Sequence, residues 1–171
     1  RDYETAEIAI KASLTGHLVL STLHTNDAPS TINRVLNMGI EPVLVASSLN
    51  IVVAQRLARR ICDGCKERLD VSPEVLVNIG VPAAEAMHTE VHYGTGCPKC
   101  SGTGYKGRIA LYECMAMTET LKEFVLNGAS AAEIKREAIK QGMASLRASG
   151  IKALKAGITT VEEGLRVTAA D

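Results

Sequence analysis

The stretch HLVLSTLHTNDAPSTINRVLNMG, residues 17–39, decides the expected fold. Its first part, residues 17–23, is rich in leucine and β-branched residues, which is typical of a buried strand. Asp27 then precedes Pro29, an order typical of the start of a helix, and Gly39 marks its end. The stretch therefore predicts a strand followed directly by a helix that runs to about Met38.

The flanking residues extend this alternation. Asp2 can cap a helix that continues to Leu14, and Pro42 opens another helix of about two turns. The run IVVAQRLARRI, residues 51–61, fits a strand or a helix, and we favour the strand. A helix–strand–helix–helix–strand order with short connections predicts an open α/β sheet.

Composition and charge exclude several classes of protein. The 171 residues are 46% hydrophobic, which suffices for a sizeable core. Nineteen basic residues balance nineteen acidic ones and aromatic residues make up 3%, so nothing indicates nucleic-acid binding. No apolar run reaches the roughly 20 residues of a membrane span, and the charged first residues do not fit a signal peptide. We therefore expect a cytoplasmic protein.

Four of the five cysteines form two C-x-x-C pairs, Cys62 with Cys65 and Cys97 with Cys100. This spacing turns two thiolates toward one point, and two such pairs complete a tetrahedron around Zn²⁺. Four thiolates leave no open coordination position, so the predicted zinc is structural. The alternatives are free cysteines in the core and disulfides, and a cytoplasmic setting disfavours disulfides.

The other candidate ligands receive different predictions. His88 and His92 lie between the cysteine pairs and could compete for the metal, but four cysteines already complete the site. Cys114 follows a strand pattern in LYECM and is predicted to be a small buried hydrophobic side chain.

These patterns divide the chain into three segments. Residues 1–61 form the predicted α/β core. Residues 62–107, rich in Gly, Pro and Cys, form the zinc-binding module. Residues 108–171 begin with a strand and continue as helices, one of them opened by a capping box at Ser130 and Glu133.

Polar side chains cluster where the first predicted strand ends. Ser21 and Thr22 lie in its last residues, and His24 and Thr25 follow it. Ligands of open α/β sheets bind outside the carboxyl ends of the strands, and a helix N-terminus favours phosphate. The same residues also fit a capped helix start with a locally bonded histidine, so the pattern alone leaves both possibilities open.

Taken together, these motifs resemble the type II secretion and type IV pilus assembly ATPases. The resemblance extends over essentially the whole chain and rests on LSTLHTNDA (residues 20–28), VAQRLARRIC (53–62), the paired cysteines and GRIALYECM (107–115). LSTLHTNDA resembles the His box of this family, and Arg1 with Asp2 resembles the end of its Walker B segment. The four cysteines favour the pilus-assembly and secretion branches over the retraction ATPases.

The resemblance implies the C-terminal half of a RecA-like ATPase domain in a homo-hexamer that uses Mg-ATP. It implies inner-membrane platform proteins and other pilus or secretion components as partners, and a peripheral position at the inner membrane. His24 would be the catalytic His-box residue, near the γ-phosphate or reporting its presence to a neighbouring subunit. Arg56 lies in a basic cluster at a strand end, where it is predicted to contact the nucleotide or a subunit interface, with a solvated face as the alternative. Arg59, Arg60 and Arg108 could contact nucleotide or a neighbouring subunit, or could be structural.

The phosphate-binding machinery of this family does not occur in the 171 residues. They contain no G-x-x-x-x-G-K-[ST] loop, which the resemblance places upstream of Arg1. Backbone N–H groups and a lysine around the phosphates are required for phosphoryl transfer. We therefore expect the chain to be a C-terminal fragment that does not hydrolyse ATP by itself.

One alternative function remains. CPKCSGTG, residues 97–104, also resembles the C-x-x-C-x-G-x-G unit of the DnaJ-type chaperone zinc domain, which would make the chain a zinc-stabilised protein-interaction module. The first cysteine pair lacks the trailing glycines of that unit, however, and a chaperone zinc domain does not account for HLVLSTLHTNDA.

Overall fold

The computed structural model describes residues 2–168, which form two compact units. The first unit comprises the residues up to Ala54 together with Glu113–Met143. The second comprises Gln55–Tyr112 together with the residues from Ala144 onward. Arg1, predicted to end a Walker B segment with Asp2, lies outside the described residues.

The elements of the described residues are, in chain order, α1 (Tyr3–Leu14), α2 (Ala28–Asn37), α3 (Pro42–Ser48), β1 (Ile51–Ile61), β2 (Lys66–Leu69), α4 (Pro73–Asn78), α5 (Ala83–Ala86), β3 (Val91–Gly94), a 3₁₀ turn (Pro98–Cys100), β4 (Tyr105–Ala116), α6 (Glu119–Leu126), α7 (Ala131–Lys140), α8 (Leu146–Lys155) and α9 (Val161–Val167). Strands β1 and β4 pair with each other, and β2 pairs with β3. No helix in the described part of the chain is long and apolar enough to cross a membrane.

Short polar side chains set the helix starts, as the sequence predicts. The Asp2 carboxylate accepts a hydrogen bond from the Thr5 N–H at 2.8 Å, and Asp27 accepts one from the Ser30 N–H at 2.9 Å. Ser130 forms the predicted capping box at the start of α7. These bonds satisfy N–H groups that have no partner within the helix, which confirms the predicted starts of α1, α2 and α7.

The first unit is built around aliphatic side chains from several helices. α3 packs against α6, and α2 packs against α7. The largest fully buried side chains of these helices are those of Ile32, Val45, Leu121, Val125 and Ile134. Since the chain has few aromatic residues, this aliphatic packing supplies most of the hydrophobic stabilisation of the unit.

The second unit combines the cysteine-containing segment with the C-terminal helices. β2 and β3 are antiparallel, with Lys66 opposite Gly94 and Leu69 opposite Val91. One hydrophobic cluster joins this segment to helix α8; its buried members are Leu76, Val81, Ala86, Val91 and Leu154. The segment 62–107 therefore shares its core with α8. The functional division into residues 1–61, 62–107 and 108–171 stays a prediction.

The predicted strand over residues 17–23 is wrong for this structure. These residues form neither strand nor helix, and Leu18 and Leu20 are 84% and 87% exposed. A strand needs a neighbour for its N–H and C=O groups, and none of the described strands pairs with this run. Local apolar composition indicated burial, but a strand depends on a partner that local composition cannot reveal.

Strand β4 corrects the prediction for Cys114. Side chains alternate between the two faces of a strand, and here Leu111, Glu113 and Met115 are buried, whereas Tyr112 and Cys114 are exposed. The buried position next to Cys114 is thus taken by a glutamate, which apolar patterning does not predict.

Candidate functional site

The four paired cysteines come together in the second unit. The Sγ atoms of Cys62 and Cys97 lie 3.8 Å apart, as do those of Cys65 and Cys100, and Cys97 and Cys100 are separated by 3.7 Å. All four sulfurs lie within 4.8 Å of one another. Sulfurs bound tetrahedrally about 2.3 Å from a Zn²⁺ ion would be about 3.8 Å apart. The cluster therefore fits a four-coordinate metal site.

Two backbone N–H groups stabilise the thiolate form of Cys100. The N–H groups of Cys97 and Gly104 donate to the Cys100 Sγ at 3.2 and 3.3 Å. These donors lower the pKa of the Cys100 thiol to about 6. Desolvation raises the pKa of the Cys65 thiol to about 12. Since a metal binds the thiolate form of cysteine, the two N–H donors favour Cys100 as a metal ligand.

The two histidines near the cysteines lie outside this cluster. His88 is exposed, and neither His88 nor His92 belongs to the group of close ligand atoms in the described residues. The His92 Nδ1 is buried without a hydrogen-bond partner there. The metal-ligand prediction therefore stays with the four cysteines.

His24 lies in the first unit on a segment tied to helix α2. The Thr25 and Thr31 hydroxyl groups are 2.8 Å apart, and the Thr31 hydroxyl donates to the Asp27 carbonyl at 3.3 Å. The His24 side chain is exposed, and no hydrogen bond joins its ring to another described residue. The structure therefore does not show the locally bonded histidine that the sequence left open, and the ring is free to meet a ligand.

Two acidic side chains already occupy the start of α2. Asp27 accepts from the Ser30 N–H, and the Glu113 Oε1 accepts from the Ala28 N–H at 2.7 Å. These two N–H groups are not available to a phosphate, and the Thr25 and Thr31 hydroxyl groups are bonded to each other, whereas the His24 ring is exposed. Sequence reasoning missed Glu113, since its partner is 85 residues away in the chain.

The predicted arginines lie in the second unit in different environments. Arg56 is half-buried, and Arg60 and Arg108 are exposed. Arg59 pairs with Glu163 at 2.7 Å and lies 4.1 Å above the centre of the Tyr105 ring. The Arg59 guanidinium is thus held by Glu163 and Tyr105.

Glu163 is a buried carboxylate that ties helix α9 to strand β1. It accepts from the Arg59 backbone N–H at 3.1 Å and from the Arg59 and Arg166 side chains. Burial by itself raises the pKa of Glu163, but hydrogen bonds from Arg166 and Arg59 outweigh burial and lower this pKa to about 2. The role of Glu163 is not predictable from local sequence, because its partner Arg59 is 104 residues away.

Glu163 should make the second unit sensitive to acid. Its pKa is about 2 in the folded chain against an ordinary value of 4.5, so the unfolded chain binds the proton first as the pH falls. The stabilisation is fully present above pH 4.5 and is lost as the pH falls toward 2. We expect Glu163→Gln to cost about 2–3 kcal/mol near neutral pH and to flatten the pH dependence of the urea midpoint in this window.

The matched control is Glu162→Gln, which removes the same charge from an exposed position on the same helix. It should change the urea midpoint only slightly and leave the acid sensitivity in place. Equal effects of the two substitutions would show that the ion pairs of Glu163 contribute nothing specific.

The sequence and the fold both match known proteins. The family described as type II/IV secretion system protein matches residues 1–166. The chain belongs to the type II/IV secretion system protein family. It is 55% identical, over all of its length, to the type IV pilus assembly ATPase PilB of Myxococcus xanthus. It is 46% identical, over 98% of its length, to the type II secretion system protein E of Pseudomonas aeruginosa. The chain spans 30% and 33% of the lengths of these two family members.

Solved structures show which known proteins share the fold of this chain. The pilus retraction motor PilT with bound ADP superposes with a TM-score of 0.65 at 20% identity, covering 99% of this chain and 38% of PilT. The ATPase DotB of Yersinia pseudotuberculosis superposes with the same TM-score at 17% identity, covering 98% of this chain and 34% of DotB. The predicted α/β fold class is confirmed for this member of the family.

Proposed function

We propose that this chain is the C-terminal part of a hexameric ATPase that powers type IV pilus assembly or type II protein secretion. The observation that carries the proposal is the 55% identity to a type IV pilus assembly ATPase over the full length of the chain. Because the chain is also 46% identical to a type II secretion system protein, the proposal includes type II protein secretion as well as pilus assembly. The partners are inner-membrane platform proteins and other pilus or secretion components, and the protein acts on the cytoplasmic side of the inner membrane.

The proposed cofactors are a structural Zn²⁺ and, in the complete protein, Mg-ATP. The sulfurs of Cys62, Cys65, Cys97 and Cys100 would hold the zinc, because their separations and their number suit this ion. The zinc would supply folding energy to the segment around β2 and β3 and would take no part in hydrolysis.

His24 is the proposed catalytic residue of the chain. Its ring is exposed, while the neighbouring residues Thr25 and Asp27 are hydrogen-bonded within the start of α2. A neutral or protonated imidazole can donate a hydrogen bond toward charge that develops on a phosphate. Arg56 is proposed as a nucleotide contact, because a guanidinium pairs well with phosphate oxygens.

Replacing His24 in the complete protein tests this proposal. We expect His24→Ala to lower magnesium-dependent phosphate release by at least about tenfold, because a donor aimed at the transition state is lost. His17→Ala is the matched control: His17 is also exposed, and its Nδ1 contacts the Thr15 hydroxyl at 3.0 Å. It should hydrolyse ATP at the rate of the unaltered protein. A His24→Ala protein as active as this control would remove His24 from the site.

The 171-residue chain by itself should not hydrolyse ATP, because it contains no G-x-x-x-x-G-K-[ST] loop. The same phosphate-release assay checks this expectation. Magnesium-dependent turnover above background by the purified chain would contradict it.

A further inference from the structure

Glu113 is an acidic residue buried in the first unit. Its side chain is 0% exposed, and its neighbours on the same face of β4 are Leu111 and Met115. A carboxyl group in such surroundings is costly unless hydrogen bonds compensate for the lost water. Leucine or methionine at this position would pack without that cost, so the bonds made by Glu113 require an explanation.

The Glu113 carboxyl group holds the first residue of helix α2. Its Oε1 accepts a hydrogen bond from the Ala28 N–H at 2.7 Å, and Ala28 is also 0% exposed. Since water does not reach Ala28, this N–H depends on Glu113 for a partner. An acidic group at a helix N-terminus is also favoured by the helix dipole. The bond therefore fixes the start of α2 against strand β4.

The segment that carries His24 is attached to the same helix start. Asp27 caps α2 through the Ser30 N–H, and Thr25 contacts Thr31 on the first turn of α2. His24 itself makes no hydrogen bond to the described residues. The position of its backbone therefore depends on the hydrogen bonds of Thr25 and Asp27. A displacement of the Ala28 end of α2 would move His24 with it.

We infer that Glu113 is a positioning residue that holds His24 in place for ATP hydrolysis through the Ala28 N–H. This inference rests on the proposed function. The Glu113 side chain is 0% exposed and thus does not reach the nucleotide itself, so it acts on the reaction through the Ala28 N–H and the histidine segment. Its removal should lower kcat and leave nucleotide affinity nearly unchanged.

A double-mutant cycle in the complete protein tests the inference. We expect Glu113→Ala to lower kcat by about tenfold with KM within about twofold of the unaltered protein. In the His24→Ala background, the same substitution should lower kcat by less than about twofold, because the residue that it positions is already absent. An equal loss in both backgrounds, or an unchanged kcat for Glu113→Ala, would overturn the inference.

Two further variants separate positioning from general loss of structure. Glu113→Gln keeps an oxygen that can accept the Ala28 bond, and its kcat should remain within about threefold of the unaltered value. A loss as large as that of Glu113→Ala would count against the role of the bond. Glu133→Ala is the matched control, because Glu133 accepts from the Ser130 N–H at 2.8 Å at the exposed start of α7. It should leave kcat unchanged, and an equal loss there would make the effect of Glu113 non-specific.

The outcomes distinguish the inference from the proposed function. If His24→Ala alone hydrolyses ATP at the normal rate, the proposed role of His24 is rejected and the inference falls with it. If His24→Ala is slow but Glu113→Ala costs the same factor in both backgrounds, only the inference is rejected. Should Glu113→Ala fail to fold by circular dichroism, Glu113→Asp takes its place in the cycle, since its shorter side chain keeps the acid but withdraws it from Ala28.

Discussion

Replacing Cys100 by serine in the complete protein is expected to abolish zinc retention and to unfold the segment around β2 and β3. The Cys100 sulfur lies 3.7–3.8 Å from those of Cys97 and Cys65, and it accepts two backbone N–H bonds. A serine oxygen is a shorter and harder ligand, which Zn²⁺ binds poorly in such a site. Binding of a structural zinc typically contributes about 10–16 kcal/mol to the free energy of folding. The loss of one ligand should therefore lower the free energy of unfolding of this segment by more than about 5 kcal/mol.

Metal analysis and hydrogen exchange would measure this effect. Cys100→Ser should carry no zinc after gel filtration, and the amides of Lys66–Leu69 and Val91–Gly94 should lose their protection. Cys114→Ser is the matched control, because Cys114 is the exposed cysteine outside the cluster. It should keep its zinc and its protection. A Cys100→Ser protein that still holds zinc would show that the ligand set is wrong.

Local rules explain which parts of the structure could be predicted from the sequence. Each helix cap bonds an N–H group three residues further along the chain, as seen for Asp2, Asp27 and Ser130. A few neighbouring residues are therefore enough to predict where these helices start. The C-x-x-C pairs are equally local, and turn chemistry brings each pair of sulfurs together. The assembly of two pairs into one cluster was predictable because four-coordinate thiolate sites need both.

The predictions of secondary structure failed where the structure of a segment depends on residues far along the chain. Residues 17–23 have the composition of a strand, but pairing depends on a neighbour far along the chain, and the described strands do not supply one. The short strands β2 and β3 escaped prediction because β2, with the sequence KERL, is exposed throughout.

Buried acids were also beyond sequence reasoning. Glu113 and Glu163 are each 0% exposed, and their partners Ala28 and Arg59 lie 85 and 104 residues away. Acidic residues are ordinarily assigned to the surface, and only the fold brings their partners to them. The resemblance to secretion ATPases indicated the His24 segment, a prediction that remains to be tested, whereas Glu113 is recognised next to this segment only through its contact with Ala28.

A large effect of a single added methyl group is expected at Gly104. Its carbonyl oxygen accepts from the Cys62 N–H at 2.9 Å, and its N–H donates to the Cys100 sulfur. Gly104 thus joins the two cysteine pairs through its backbone. A Cβ at Gly104 would overlap the backbone of Gly94 on strand β3, and its φ of +75° disfavours any side chain. We expect Gly104→Ala to cost about 4 kcal/mol and to weaken zinc retention.

Gly102→Ala separates the two causes of that cost. Gly102 has a φ of +76°, almost the same as Gly104, but nothing lies within 4 Å of the position where its Cβ would stand. Backbone strain alone should therefore cost about 1 kcal/mol in Gly102→Ala, with zinc fully retained. The difference between the two urea midpoints measures the contact of Gly104 with Gly94. If both variants lose the same stability, the close approach of these two backbones contributes nothing, and the cysteine pairs are held together by the metal and their own turns.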